Sequence, residues 1–110
     1  MARPGKDVLQ GTLEMLILRA LQPGPLHGYG IVKRIQQVSD DALRVEEGSL
    51  YPALHRLEQD GWIQATWKAS ETGRRAKFYC LTEAGEERLA EEQENWRRLT
   101  RAVGRVLRFA

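Results

Sequence analysis

Lys68, Arg74, Arg75 and Lys77 fall within ten positions that hold a single acid, Glu71. Guanidinium and ammonium groups at that density suit phosphate oxygens, which accept charge-assisted hydrogen bonds. A second set lies just upstream, where Leu50, Leu54 and Leu57 recur at helical spacing. That spacing puts the leucines on one side of a helix and Ser49, Pro52, His55, Arg56 and Gln59 on the other. Arg56 and His55 are the side chains able to reach a base edge in a major groove, Arg56 by a bidentate contact to guanine. Tyr51 and Ser49, at the start of the helix, suit phosphate or sugar. Plainer readings exist for both sets. Exposed hairpin tips carry charge for solubility, and Arg56 has Glu58 and Asp60 nearby for a surface ion pair.

Other chemistries find little support. His27 and His55 are the only histidines, and neither stands at metal-ligand spacing to Cys80 or a carboxylate. The adjacent pairs Asp40-Asp41 and Glu46-Glu47 diverge and make poor acid/base dyads. Neither a metal, a cofactor nor an enzymatic activity is expected. Cys80, the sole cysteine, has no partner for an internal disulfide and fits a reducing cytoplasm. The longest strongly apolar run, Met15-Leu16-Ile17-Leu18, is far below membrane-spanning length, and residues 1–11 lack the hydrophobic segment of a secretory signal. A cytoplasmic protein without membrane contact is expected. With 110 residues, 42% of them apolar, the chain supports one modest core and gains from a partner subunit. Its net charge of +2 implies no partner by itself, so the distribution of charge matters more.

The elements that must position these residues follow from periodicity. Residues 7–22 read as a first helix with Leu9, Leu13, Leu16, Ile17, Ala20 and Leu21 on its main apolar face. Val8, Met15 and Leu18 lie off that stripe, which suggests a second buried side, against another subunit. Pro23-Gly24-Pro25 breaks the chain. Residues 27–39 form a second helix with Ile31, Val32, Ile35 and Val38 inward. Ser49 is placed to cap the third helix, Pro52 is tolerated in its first turn, and Gly61 stops it. Two strand-like runs, 62–68 and 76–81, flank a polar turn and make a hairpin. Thr82 caps a long last helix, from 83 to about 109. The order describes a mainly α (α+β) fold, a winged helix-turn-helix with a C-terminal extension, divided as residues 1–82 for DNA binding and 83–110 for dimerisation.

The last helix is polarised, with Glu83, Glu86, Glu87, Glu91, Glu92 and Glu94 in its first half and Arg97, Arg98, Arg101, Arg105 and Arg108 in its second. This order complements the helix macrodipole and favours antiparallel pairing with a second copy. Leu89, Trp96, Leu99, Val103 and Val106 occupy heptad-like positions, and at about 40 Å the helix outreaches so small a domain. These residues, with Met15 and Leu18, are the expected dimer interface, and packing of the last helix onto the chain's own first helix is expected alongside it.

Taken together, Leu9-Gln10-Gly11-Thr12-Leu13, Pro25 to Ile31, Gly48 to Leu57, Gly61-Trp62-Ile63, Trp67, Arg74 to Tyr79 and Leu81 to Gly85 resemble the PadR family of bacterial transcriptional regulators, in its form with one C-terminal helix. The resemblance implies a dimeric repressor on palindromic double-stranded DNA operators, with Tyr51 and its helix in the major groove and Arg74-Arg75 near the backbone. It also implies His27 and Tyr29 near phosphate. Gly30 and Ala76 depart from the commonest pattern, the latter interrupting a basic run. Some multidrug-sensing members hold flat aromatic ligands between paired tryptophans. Trp96 is the candidate here for such a small aromatic effector, against the alternative that it simply packs in the interface. The rival for the whole chain is a protein-binding winged helix, which would carry apolar residues where this third helix carries Ser49, His55, Arg56 and Gln59.

Overall fold

A computed structural model describes residues 6–109, with side chains from residue 11 onward. The elements run α1 (Lys6–Leu21), β1 (Leu26–His27), α2 (Gly28–Val38), α3 (Glu47–Gln59), β2 (Ile63–Ala69), β3 (Arg75–Leu81) and α4 (Glu83–Leu107). The three strands form one antiparallel sheet in the order β1-β3-β2. The hairpin register runs from Ile63 opposite Leu81 to Ala69 opposite Arg75. The molecule is a winged helix-turn-helix carrying a long C-terminal helix.

The core gathers Leu13, Ile17 and Leu21 of α1, Ile31 and Ile35 of α2, and Leu50, Ala53, Leu54 and Leu57 of α3. Ile63, Tyr79 and Leu89 close it from the hairpin and from α4. The leucine stripe of α3 therefore faces inward as its spacing predicts. So does α1, but on more than one side. Met15, Leu18 and Ala20 are buried along with the main stripe, because α1 contacts α2, α3, β3 and α4 together. Leu18 and Leu89, both expected at a subunit interface, are 1% exposed within this one chain. Their burial is already satisfied, so neither is available to a partner. Val8 and Leu9 lie outside the residues whose side chains are described.

Several local expectations need revision. Ser49 does not cap α3: the helix begins two residues earlier, with Glu46 as a cap that makes no side-chain hydrogen bond. Val38 points outward, 78% exposed, because it is the last residue of α2 and the core ends one turn before it. The strand β1 has only two residues, too few for a periodic signal. It exists because β3 offers a free edge, on which Leu26 pairs with Tyr79 and His27 with Phe78. His27 is thus strand residue and helix cap at once, its Nδ1 accepting from the Gly30 N–H at 2.9 Å.

Thr82 is the cap the sequence predicts for α4. Its hydroxyl accepts from the Gly85 N–H at 3.0 Å and donates to the Gly61 carbonyl at 2.7 Å. Its own N–H donates to the Trp62 carbonyl at 3.1 Å. The start of α4 is thereby pinned to the turn that ends α3. Gly85 makes this approach achievable, since a Cβ there would run into the Trp62 carbonyl oxygen. The Arg88 guanidinium covers the Trp62 ring at 4.6 Å from its centre.

Candidate nucleic-acid interface

A groove of about 610 Å³ opens between the start of α2, the start of α3 and the hairpin. It collects residues distant in sequence: His27, Gly28 and Tyr29 from the first side, Tyr51 from the second, and Trp67, Arg74, Arg75 and Lys77 from the third. The Tyr51 ring lies against Gly28, where an added Cβ would stand 3.0 Å from the phenol oxygen. Any larger residue at 28 displaces the tyrosine. Gly28 thus leaves the room that the Tyr51 ring occupies in the groove.

The hairpin side of the groove is cationic. Arg74 and Arg75 are exposed and, among the described residues, neither belongs to an ion pair. Lys77 is restrained, donating to Glu58 of α3 at 3.2 Å, so its charge is partly neutralised from behind. Tyr29 carries the Lys33 ammonium 5.5 Å from its ring centre, which adds a cation behind that ring. Tyr29, Tyr51 and Trp67 are all exposed aromatics. Together the cations and ring faces make a surface suited to phosphate and sugar. Tyr79 forms the inner wall. Burial pushes its phenol pKa up, against a smaller opposing pull from the Lys77 charge and with Glu58 and Tyr51 adding to the rise.

Of the residues expected from sequence, the groove unites His27, Tyr29, Tyr51, Arg74, Arg75 and Lys77. Lys68 is elsewhere. Strand alternation turns it to the other face of the hairpin from Trp67, where its ammonium lies 4.5 Å from the centre of the Phe78 ring. His55 is exposed on α3 beyond the groove, and Ser49 is half-buried in the first turn. Arg56 is turned away from the free face. Its Nε donates to Glu14 of α1 at 3.0 Å, neither of the acids the sequence pointed to. Helical spacing sets Arg56 away from the leucine stripe, and only the packing of α1 reveals its partner. Trp67 and Lys33 are additions. Alternation from Ile63 along the strand places Trp67 with the inward set until the sheet runs past the core, and Lys33 stands one turn beyond Tyr29.

The second notable surface is the far half of α4. Trp96, Leu99, Val103 and Val106 form an exposed apolar stripe, Val106 at 73%. Beside it, a cleft of about 240 Å³ between α1 and α4 is lined by Gly11, Thr12, Met15, Glu92, Asn95, Trp96 and Leu99. Arg97 and Arg98 share Glu94, while Arg88 pairs with Glu92 at 2.6 Å. Arg101 and Arg105 join Arg98 along one basic edge. No helix among the described residues is long and apolar enough to cross a membrane.

Comparison with known proteins agrees with this architecture. The sequence profile of the transcriptional regulator PadR-like family matches residues 17–91. A transcriptional regulator of Mycobacterium tuberculosis is 31% identical over 98 residues, covering 89% of this chain and 88% of that protein. An uncharacterized 37.1 kDa protein of a Streptomyces fradiae transposon is 46% identical over 97 residues, although the chain spans only 26% of its length. Among solved structures, a transcriptional regulator from Clostridium thermocellum superposes with a TM-score of 0.83 at 30% identity, covering 91% of this chain and 97% of that one. A PadR-like transcriptional regulator from Bacillus cereus gives 0.80 at 30% identity, over 96% and 100% of the two chains. The chain belongs to the PadR-like family of transcriptional regulators.

Proposed function

We propose that this regulator is a cytoplasmic homodimeric repressor that binds a palindromic operator in double-stranded DNA. The groove carries the reading: one concave surface brings Arg74 and Arg75 of the wing, unpaired among the described residues, to Tyr51 at the head of α3. In that arrangement α3 enters the major groove, with His55 and Gln59 on its exposed face toward base edges. Arg74, Arg75, Tyr29, His27 and Tyr51 take the flanking phosphates and sugars, Ser49 approaches the backbone from the first turn, and Lys77 and Lys68 add field rather than direct readout. Arg56 serves mainly as a strut, fixing α3 to α1 through Glu14.

The apolar stripe of α4 supports dimerisation. Trp96, Leu99, Val103 and Val106 are the residues offered to a second copy, while Met15, which lines the adjoining cleft, is itself buried within the chain. Antiparallel pairing sets the glutamate-rich half of one α4 beside the arginine-rich half of the other. Two-fold symmetry in the protein then requires two-fold symmetry in the operator. Repression is the simplest output, since occupancy that excludes polymerase needs no activating contact. A flat aromatic effector seated on Trp96, in the cleft between α1 and α4, would release the operator by altering that pairing.

A mobility shift with the DNA upstream of the chain's own coding region, at two salt concentrations, tests the reading. Binding that weakens steeply with salt supports it. Absent or salt-insensitive binding points instead to a protein-assembly role for the fold.

A further inference from the structure

A cavity of about 270 Å³ lies on another side of the molecule, between the second half of α1, the end of α2 and the turn that follows. Its floor is aliphatic: Leu16, Ala20 and Ile35. Two apolar residues at its rim, Val38 and Leu43, are left open to solvent although each could be covered by a small ligand. Among the described residues no aromatic ring lines it, so it offers no ring on which a flat molecule could stack. The charged lining residues are Arg19 and Arg34. Among the described residues neither belongs to an ion pair, and no carboxylate lines the cavity.

We infer that this cavity binds an aliphatic carboxylate, its chain on the Leu16–Ala20–Ile35 floor and beneath Val38 and Leu43, its carboxylate on Arg19 and Arg34. The size is near the lower end of small-molecule sites, roughly 300 Å³, which suits a chain of medium length. Charge complementarity excludes the amine of the same length, and the aliphatic lining separates this ligand class from anything that stacks on Trp96.

The position gives the ligand a consequence. Leu43 sits in the turn between α2 and α3, where Asp40 and Asp41 hold left-handed backbone conformations with φ of 54° and 66°. Among the described residues three side-chain contacts brace this turn: Gln36 donates to Asp41 at 2.9 Å, the Ser39 hydroxyl donates to the Gln36 carbonyl at 3.2 Å, and the Leu43 N–H donates to the Ser39 hydroxyl at 3.0 Å. Two successive non-glycine residues in that region are disfavoured. A ligand that covers Val38 and Leu43 biases the turn, and with it the placement of α3. This regulatory half rests on the DNA-binding reading; the binding half does not.

Titration calorimetry on the full chain, with decanoate kept below its aggregation threshold and decylammonium as the opposite-charge control, tests the assignment. One saturable decanoate site per chain is expected, with no comparable site for decylammonium. Arg19→Gln with Arg34→Gln should weaken decanoate by at least about tenfold, as loss of charge-assisted hydrogen bonds requires. Trp96→Ala should leave it unchanged. No decanoate heat, equal binding of decylammonium, undiminished binding by the double variant, or loss on Trp96→Ala would each overturn the site. Decanoate should also shift operator affinity of the unmodified chain and not of the double variant. Carboxylate binding with unaltered operator affinity overturns the regulatory half alone, whereas failure of the chain to bind any DNA, with decanoate still bound, sinks the operator reading and leaves the cavity assigned.

Discussion

Arg56 and His55 are neighbours in sequence with opposite fates. The Arg56 guanidinium is occupied by Glu14 on α1, while His55 stands exposed on the face that α3 presents outward. In selection from a randomised operator library, His55→Ala should change base preference and Arg56→Ala should leave it intact. Because the Arg56–Glu14 pair is half exposed, its loss should lower stability by about 1 kcal/mol or less in urea unfolding. A relaxed preference in the Arg56 variant alone would return that residue to base reading. Tyr79 offers a second test. Burial raises its phenol pKa in the folded chain, so the unfolded chain ionises first as pH rises. Its contribution is fully present below the ordinary tyrosine value of about 10 and is lost above it, until the folded phenol ionises too. Between pH of about 9 and about 11, Tyr79→Phe should lose less stability than the parent in urea unfolding. An equal loss would mean that the tyrosine does not feel its burial.

At the scale of elements, periodicity carried the helices well. The stripe of Leu50, Leu54 and Leu57 faces the core, Thr82 caps α4, and the hairpin follows the third helix. What periodicity could not carry was packing. Leu18 lies off the main stripe of α1, and only the presence of neighbours on several sides shows why it is buried. Two-residue β1 depends on an open edge of β3, a property of the assembled sheet. The groove was legible as residue types, six of its members having been expected, but Trp67 entered through tertiary proximity, and Lys33 joins only through its contact with Tyr29 one turn before it. The wing is the element whose role is most directly measurable. Arg74→Ala with Arg75→Ala should weaken binding to all sequences alike and reduce the slope of log affinity against log salt by about two, roughly one per phosphate contact. An unaltered slope would remove the hairpin from the interface.

At the scale of the molecule, shape is informative. The described chain measures 57 × 30 × 22 Å with a radius of gyration of 15.4 Å, where a compact chain of this length would have about 13 Å. The excess belongs to α4, which runs past the body it starts from and exposes Trp96, Leu99, Val103 and Val106. Leaving such a stripe in water is unfavourable by about 25 cal/mol per Å² of apolar surface, and the second copy proposed above would relieve it. Val103→Glu should convert the dimer to monomers by light scattering, with helical content preserved and operator affinity reduced sharply. A persistent dimer would place the pairing surface elsewhere.

Thr82, Trp62 and Gly61 tie the root of α4 to the end of α3 without an intervening flexible segment. The arm is therefore a lever with its fulcrum behind the reading helix. Over 25 residues, or about 38 Å, a 5° tilt at the root moves the tip by roughly 3 Å. In the proposed dimer two such levers would be clamped at their tips, and a small molecule or substitution that shifted the clamp by a few ångströms would re-aim both heads on the duplex, so that sensing and reading would share one rigid body.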